Sequence, residues 1–125
     1  MRQAVKTDKA PKARGPYSQA IVDGDLVYLA GQGPVNPETD ELELGDIAAQ
    51  TARTFRNVKA ILEAAGSSLD KVIRCTVYLK DMGDFAAMNE VYARTFEAPY
   101  PARTTIQAGA LPFGIAVEIE CTARR

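Results

Sequence analysis

The stretch KVIRCTVYLK, residues 71–80, alternates between two kinds of side chain. One set is Ile73, Cys75, Val77 and Leu79, and the other is Arg74, Thr76, Tyr78 and Lys80. A period of two predicts a β-strand with an apolar face and a face of different chemistry. The sheet that contains this strand must therefore have two unlike faces, and the helices of the chain need to cover only the apolar one.

Further elements follow from local patterns on either side of this strand. Asp23-Gly24-Asp25 predicts the turn of a hairpin within residues 17–31. Apolar residues at helical spacing predict one helix over 46–66, from an N-cap at Asp46 to a stop at Gly66, and another over 84–99. Residues 33–45 carry two prolines and are predicted to be a loop, and two strands follow near 102–108 and 115–123. The order ββαβαββ predicts one α+β domain over residues 1–125.

Two helices of this length can cover only one face of such a sheet, so the other face must meet water or another subunit. We predict that this uncovered face is partly polar and forms an oligomer interface with a polar pocket. The side chains that we assign to it are Arg103, Thr105 and Gln107, then Glu118, Glu120 and Thr122, and finally Arg74, Thr76 and Tyr78.

Composition excludes several classes of function. The formal net charge is -1, from 15 basic and 16 acidic residues, which gives no electrostatic case for nucleic acid or an anionic membrane. The chain has no histidine and no clustered spacing of metal ligands, so we expect no metal. Cys75 and Cys121 lie in apolar runs and are expected to be buried free thiols, as in a reducing cytoplasm. The basic N-terminal residues are expected to form a solvated arm without a signal peptide, and no stretch is long enough to span a bilayer.

Arg103 and Glu118 are the candidate reactive residues, because each is a charged side chain in an apolar strand. One interpretation is a cross-strand ion pair with no further role. The other is that the planar guanidinium of Arg103 binds a carboxylate through two parallel hydrogen bonds, which leaves Glu118 free to orient water or move a proton. Gly31-Gln32-Gly33 does not continue into a dinucleotide-binding fingerprint, so Gly31 indicates a turn or a close backbone approach. Tyr17 either packs as an aromatic residue against a neighbouring strand or lines a pocket. Asn89 either faces solvent from the second helix or lines a pocket.

Motifs along nearly the whole chain resemble those of the RidA (YjgF) family. They are GPYSQA at 15–20, AGQGPVNPETDEL at 30–42, the stretch from Asn57 to Tyr92, and PARTTIQAGALPFGIAVEIE at 101–120. The resemblance implies a chorismate-mutase-like fold, a mixed β-sheet with two helices packed on one face. It also implies a homotrimer with its active sites between subunits.

The resemblance further implies a 2-iminobutanoate/2-iminopropanoate deaminase. Such an enzyme hydrolyses 2-imino acids, formed from 2-aminoacrylate or 2-aminocrotonate, to 2-keto acids and ammonia without a cofactor. By position, Arg103 matches the carboxylate-binding arginine of the family and Glu118 the glutamate that positions water. Tyr17, Gly31, Asn89 and Thr105 match its substrate-binding positions. Many members have Ser, Cys and Arg where this chain has Ala30, Thr105 and Ala110, differences that bear on substrate range.

Other functions remain open from the sequence. A non-catalytic trimer that binds small carboxylates or a partner protein would use the same Arg103. Some relatives carry an endoribonuclease label. The absence of histidine and the net charge of -1 argue against ribonuclease activity in this chain. Within the deaminases, the chain could be specialised for an imine that an amino-acid oxidase or aromatic degradation supplies.

Overall fold

A computed structural model describes all 125 residues as one mixed sheet with two helices on one of its faces. The main strands are β1 (Gln3–Val5), β2 (Ala20–Asp23), β3 (Leu26–Leu29), β6 (Val72–Leu79), β7 (Ala102–Gln107) and β8 (Val117–Arg124). They pair in the order β1-β2-β3-β8-β6-β7, and only β6 and β7 run parallel. Two short strands, β4 (Val35–Asn36) and β5 (Glu41–Leu42), form a separate hairpin. The predicted fold class is confirmed.

The helices are α1 (Ile47–Ala64) and α2 (Phe85–Thr95), accompanied by three short 3-10 turns. The predicted N-cap of α1 is confirmed, since the Asp46 carboxylate accepts a hydrogen bond of 2.8 Å from the Ala49 N–H. Gly66, with a φ of +80°, lies in the left-handed conformation that terminates a helix. The second helix ends at Thr95, short of the predicted end just before Pro99, because the backbone of Phe96 is already extended. Neither helix has the length and hydropathy that crossing a bilayer would require.

The hydrophobic core lies between the helices and the apolar face of β6 and β8. Its most deeply buried members include Val58, Ile61 and Leu62 of α1, Met88 of α2, Val77 and Leu79 of β6, and Val117 and Ile119 of β8. Cys75 and Cys121 face each other across β6 and β8 in this core, and both are buried free thiols as predicted. The alternation of β6 therefore determines which face the helices cover.

Two predictions about the first half of the chain need correction. The N-terminal arm is not wholly solvated, because Gln3–Val5 adds a strand beside β2, with Gln3 opposite Val22. Three residues are too few for a periodic pattern, so this strand depends on the open edge that β2 offers. The predicted loop at 33–45 contains the β4–β5 hairpin, which reverses around Asp40 at a φ of 60°.

One prediction about the faces of the sheet is wrong. Arg103, Thr105 and Gln107 lie on the helix-covered face, because β7 runs parallel to β6 with Arg103 opposite the buried Cys75. Glu118 and Glu120 lie on the uncovered face as predicted, opposite Tyr78 and Thr76. The polar character of β7 comes from its place at the edge of the sheet, where even the helix-covered side is only partly buried.

Candidate active site

The Arg103 guanidinium is held by α2 without any acidic partner. Its plane lies over the ring of Tyr92, 4.5 Å from the centroid, and over the ring of Phe85 at 5.4 Å. Its Nη1 atom donates a 2.7 Å hydrogen bond to the Asn89 side-chain oxygen. The ion pairs of the chain are Met1 with Asp23 and Arg14 with Asp40, so Arg103 forms none. These contacts fix the direction of the guanidinium and leave its charge available to a ligand.

A cleft of about 390 Å³ opens beside this guanidinium at the free edge of the sheet. It is lined by Asn89, Tyr92 and Tyr100 together with Ala93 and Pro101. A single cation between aromatic walls suits a small planar anion, and a carboxylate matches the two-donor fork of arginine.

Thr105, two residues after Arg103 on β7, adds unpaired polar groups beside the guanidinium. Its hydroxyl is buried and has no hydrogen-bond partner within the chain. The Ala108 N–H donates a hydrogen bond to the Leu79 carbonyl of β6. Counting back by twos from residue 108, every second residue of β7 therefore presents its backbone N–H and C=O to β6. Thr105 is in the alternate set, and its backbone N–H and C=O therefore face the open edge of the sheet, where another molecule can pair with them.

Glu118 lies in a second cleft, which it shares with Tyr17 and Gly31. Burial is the main cause that raises the pKa of Glu118 above the ordinary value, and the charge of Glu120 adds to it. Glu120 in turn accepts a 2.5 Å hydrogen bond from the Tyr78 hydroxyl, which raises the pKa of Tyr78. A half-buried carboxylate that holds its proton more tightly than usual is suited to accept a proton from water near neutral pH.

Gly31 packs directly against this carboxylate. A Cβ atom at position 31 would overlap Oε2 of Glu118 and lie 2.9 Å from its Cδ. The approach is enforced by two backbone hydrogen bonds between Gln32 and Ile119, of 2.8 and 2.9 Å, which pair the segment with β8. A side chain at position 31 would therefore fit only if the Glu118 carboxylate moved, whereas glycine leaves the carboxylate in place beside its polar backbone.

The predicted site residues fall into two groups that do not meet within one chain. Arg103, Asn89 and Thr105 form what we call the arginine half-site, and Glu118, Gly31 and Tyr17 form the glutamate half-site. Strand β6 separates β7 from β8, and Arg103 and Glu118 point to opposite faces of the sheet. A cross-strand ion pair between these two residues of one chain is thereby excluded.

Several residues that shape the half-sites were not identified from the sequence. Phe85 and Tyr92 pack in or against the core, and their rings also hold Arg103. Arg14 was assigned to the solvated arm, but it forms an ion pair with Asp40 and lines the glutamate half-site with Phe113. Phe85, Asn89 and Tyr92 recur at i, i+4 and i+7, and their shared face of α2 was the available signal for the first pair.

Comparison with known proteins places this chain and its fold in one family. The profile of the family described as Endoribonuclease L-PSP matches residues 7–125. A RutC family protein of Pyrococcus horikoshii is 52% identical over 123 residues, which cover 98% of each chain. Reactive Intermediate Deaminase A, chloroplastic, of Arabidopsis thaliana is 43% identical over 98% of this chain and 65% of its own length. The crystal structure of Escherichia coli TdcF with bound serine superposes with a TM-score of 0.93 at 40% identity, covering 98% of both chains.

The chain is thus a member of the Endoribonuclease L-PSP family, to which the RutC and RidA proteins belong. The resemblance inferred from the dispersed sequence motifs is confirmed.

The contact between Gly31 and Glu118 predicts the effect of Gly31→Ala. The new methyl group would displace the Glu118 carboxylate, because the flexible Glu118 side chain is the mobile partner in this overlap. We expect loss of the site's activity by at least about tenfold, with a melting temperature that changes little. Gly109→Ala is the matched control, since a Cβ there has no neighbour within 4 Å. Equal activity of the two variants would contradict the proposed packing.

Proposed function

We propose that the protein is an enamine/imine deaminase that hydrolyses 2-imino acids, of the 2-iminopropanoate and 2-iminobutanoate type, to 2-keto acids and ammonia. The observation that carries the proposal is the Arg103 guanidinium, oriented by two rings and Asn89 but unpaired with any carboxylate of its own chain. A relative named Reactive Intermediate Deaminase A and a relative crystallised with serine support a ligand that carries an amino acid's carboxylate.

We further propose that the catalytic unit is a homotrimer whose active sites each combine the arginine half-site of one subunit with the glutamate half-site of the next. The two half-sites face different directions on one chain, so neither is complete alone. The uncovered face also exposes Tyr28 and Ile106, each at 45%, beside its polar residues. Burial of such a mixed surface by a second copy would bring the open edge of β7 near another subunit's cleft.

The proposed chemistry needs only groups that the two half-sites supply. Arg103 binds the substrate carboxylate at two points and so fixes the position of C2. Glu118 accepts a proton from water as the water oxygen bonds to C2, which gives a carbinolamine. The electrons of the C=N bond move to the nitrogen, which takes the water proton from Glu118. The hydroxyl proton of the carbinolamine then passes to the nitrogen as the C2–N bond breaks, so ammonia leaves while the C2 carbonyl forms. The unpaired backbone groups near Gly31 and Thr105 stabilise the polar intermediate. Water and imine are consumed, and keto acid and ammonia are released.

A non-catalytic carboxylate-binding trimer is the main competing function, because Arg103 would serve it equally. A direct assay of imine hydrolysis distinguishes the deaminase from the carboxylate-binding protein. A serine or threonine dehydratase generates the imine, and the rate of keto-acid appearance is measured with and without this protein. Acceleration by catalytic amounts supports the deaminase, and binding of 2-keto acids without acceleration supports the competitor.

Arg103→Lys should lower this deaminase activity at least about tenfold, since a hydrogen bond to a charged group is worth about 1.5–3 kcal/mol. Lysine keeps the positive charge but loses the planar fork that orients the carboxylate. Circular dichroism and the oligomer mass should match the parent. Arg56→Lys, an exposed substitution on α1, is the control and should have no effect. An Arg103→Lys rate within about threefold of the parent, under 1 kcal/mol, would contradict the carboxylate-binding role.

The Glu120 charge predicts a pH effect on the same reaction. If Glu118 acts as the base, activity is lost as the pH falls through the raised pKa of Glu118. Glu120→Gln removes the like charge that contributes to this elevation, so the acid limb of kcat/KM should move to lower pH. The measurement is the kcat/KM profile of both proteins on one substrate, so that ionisation of the substrate affects both equally. An acid limb that stays in place or moves to higher pH would argue against Glu118 as the base.

A further inference from the structure

Phe113 is an exposed aromatic residue in a costly backbone conformation. Its side chain is 66% exposed, and its φ and ψ of 59° and 19° lie in the left-handed region. Such a conformation is strained for a bulky residue, and strain of this kind is concentrated at sites where a side chain must be presented in one direction. Neither core packing nor solvation accounts for a phenylalanine here.

Arg14 holds two aromatic rings at the glutamate half-site. Its guanidinium lies over the Phe113 ring, 5.7 Å from the centroid, and is anchored by a 2.7 Å ion pair with Asp40. Its backbone N–H donates a 3.1 Å hydrogen bond to the Tyr17 hydroxyl. Phe113 and the exposed ring of Tyr17 line the same cleft as Glu118. The rings are therefore positioned by specific contacts at the place where a substrate would meet the carboxylate.

We infer that this cleft accepts the side chain of an aromatic 2-imino acid, such as the imine of phenylalanine, with Phe113 as a specificity-determining residue. The inference rests on the proposed deaminase function and narrows its substrate class. Two exposed rings beside the reacting carboxylate offer an aromatic side chain stacking or edge-to-face contact that a methyl group cannot use. The wall beside them, formed by Pro112 and Ile115, is also apolar.

The test compares two imines on wild-type protein and two variants. An L-amino-acid oxidase with catalase supplies the phenylalanine imine, a serine dehydratase supplies 2-iminopropanoate, and trapping by semicarbazide reports how fast each free imine is consumed. Phe113→Gly should lower the ratio of kcat/KM for the phenylalanine imine to kcat/KM for 2-iminopropanoate about three- to tenfold. Phe113→Tyr, which keeps the ring, should retain the wild-type ratio. Glycine suits a positive φ, so the first variant is expected to fold.

The outcomes separate this inference from the proposed function. Normal hydrolysis of 2-iminopropanoate with an unchanged ratio in Phe113→Gly would overturn the aromatic specificity alone. A dissociated oligomer in Phe113→Gly would also overturn it, by showing that the ring serves assembly. Absence of hydrolysis of both imines by the wild-type protein would overturn the deaminase function, and the inference with it.

Discussion

The period of two along a β-strand puts Arg103 and Glu118 on opposite faces of one sheet. Arg103 shares its face with Cys75 and therefore with the core, whereas Glu118 shares its face with Tyr78. No rotation of either side chain can cross the sheet between them, because β6 and its packed neighbours fill that space. Any site that uses both residues must take them from two copies of the chain.

This constraint explains why each half-site has unpaired groups. The guanidinium of Arg103 is oriented by aromatic rings instead of a carboxylate, and the Thr105 hydroxyl is buried without a partner. On the other side, Glu118 is partly desolvated beside a glycine backbone without a cation to compensate its charge. Buried polar groups without partners are costly in a finished structure, so a substrate and a second subunit are their natural complements.

Much of this arrangement was predictable from the sequence, and the rest was not for identifiable reasons. The alternation of residues 71–80, the cap at Asp46 and the stop at Gly66 are local signals, and the strand and helix that they predicted are confirmed. Ile73 is the exception, because a register shift between Val72 and Arg74 leaves it exposed and buries Val72 instead. The face of the sheet to which Arg103, Thr105 and Gln107 belong was predicted wrongly. Both alternating residue sets of β7 are half polar, so only the parallel register with β6 shows which set faces the helices. The strand Gln3–Val5 depends on an edge that no local pattern reveals. The motifs named the candidate site residues and implied sites between subunits, and the structure adds that Arg103 and Glu118 lie on opposite faces of one chain's sheet.

The central claim is that Arg103 and Glu118 act together across a subunit boundary, and mixed oligomers test it most directly. Arg103→Lys and Glu118→Gln chains, each inactive alone, are co-expressed in equal amounts with different tags, and doubly tagged oligomers are purified for the deaminase assay. Each doubly tagged trimer has one junction in three where an intact Arg103 meets an intact Glu118, so roughly a third of the wild-type rate should return. Mixed oligomers no more active than the two parent variants would contradict a shared site.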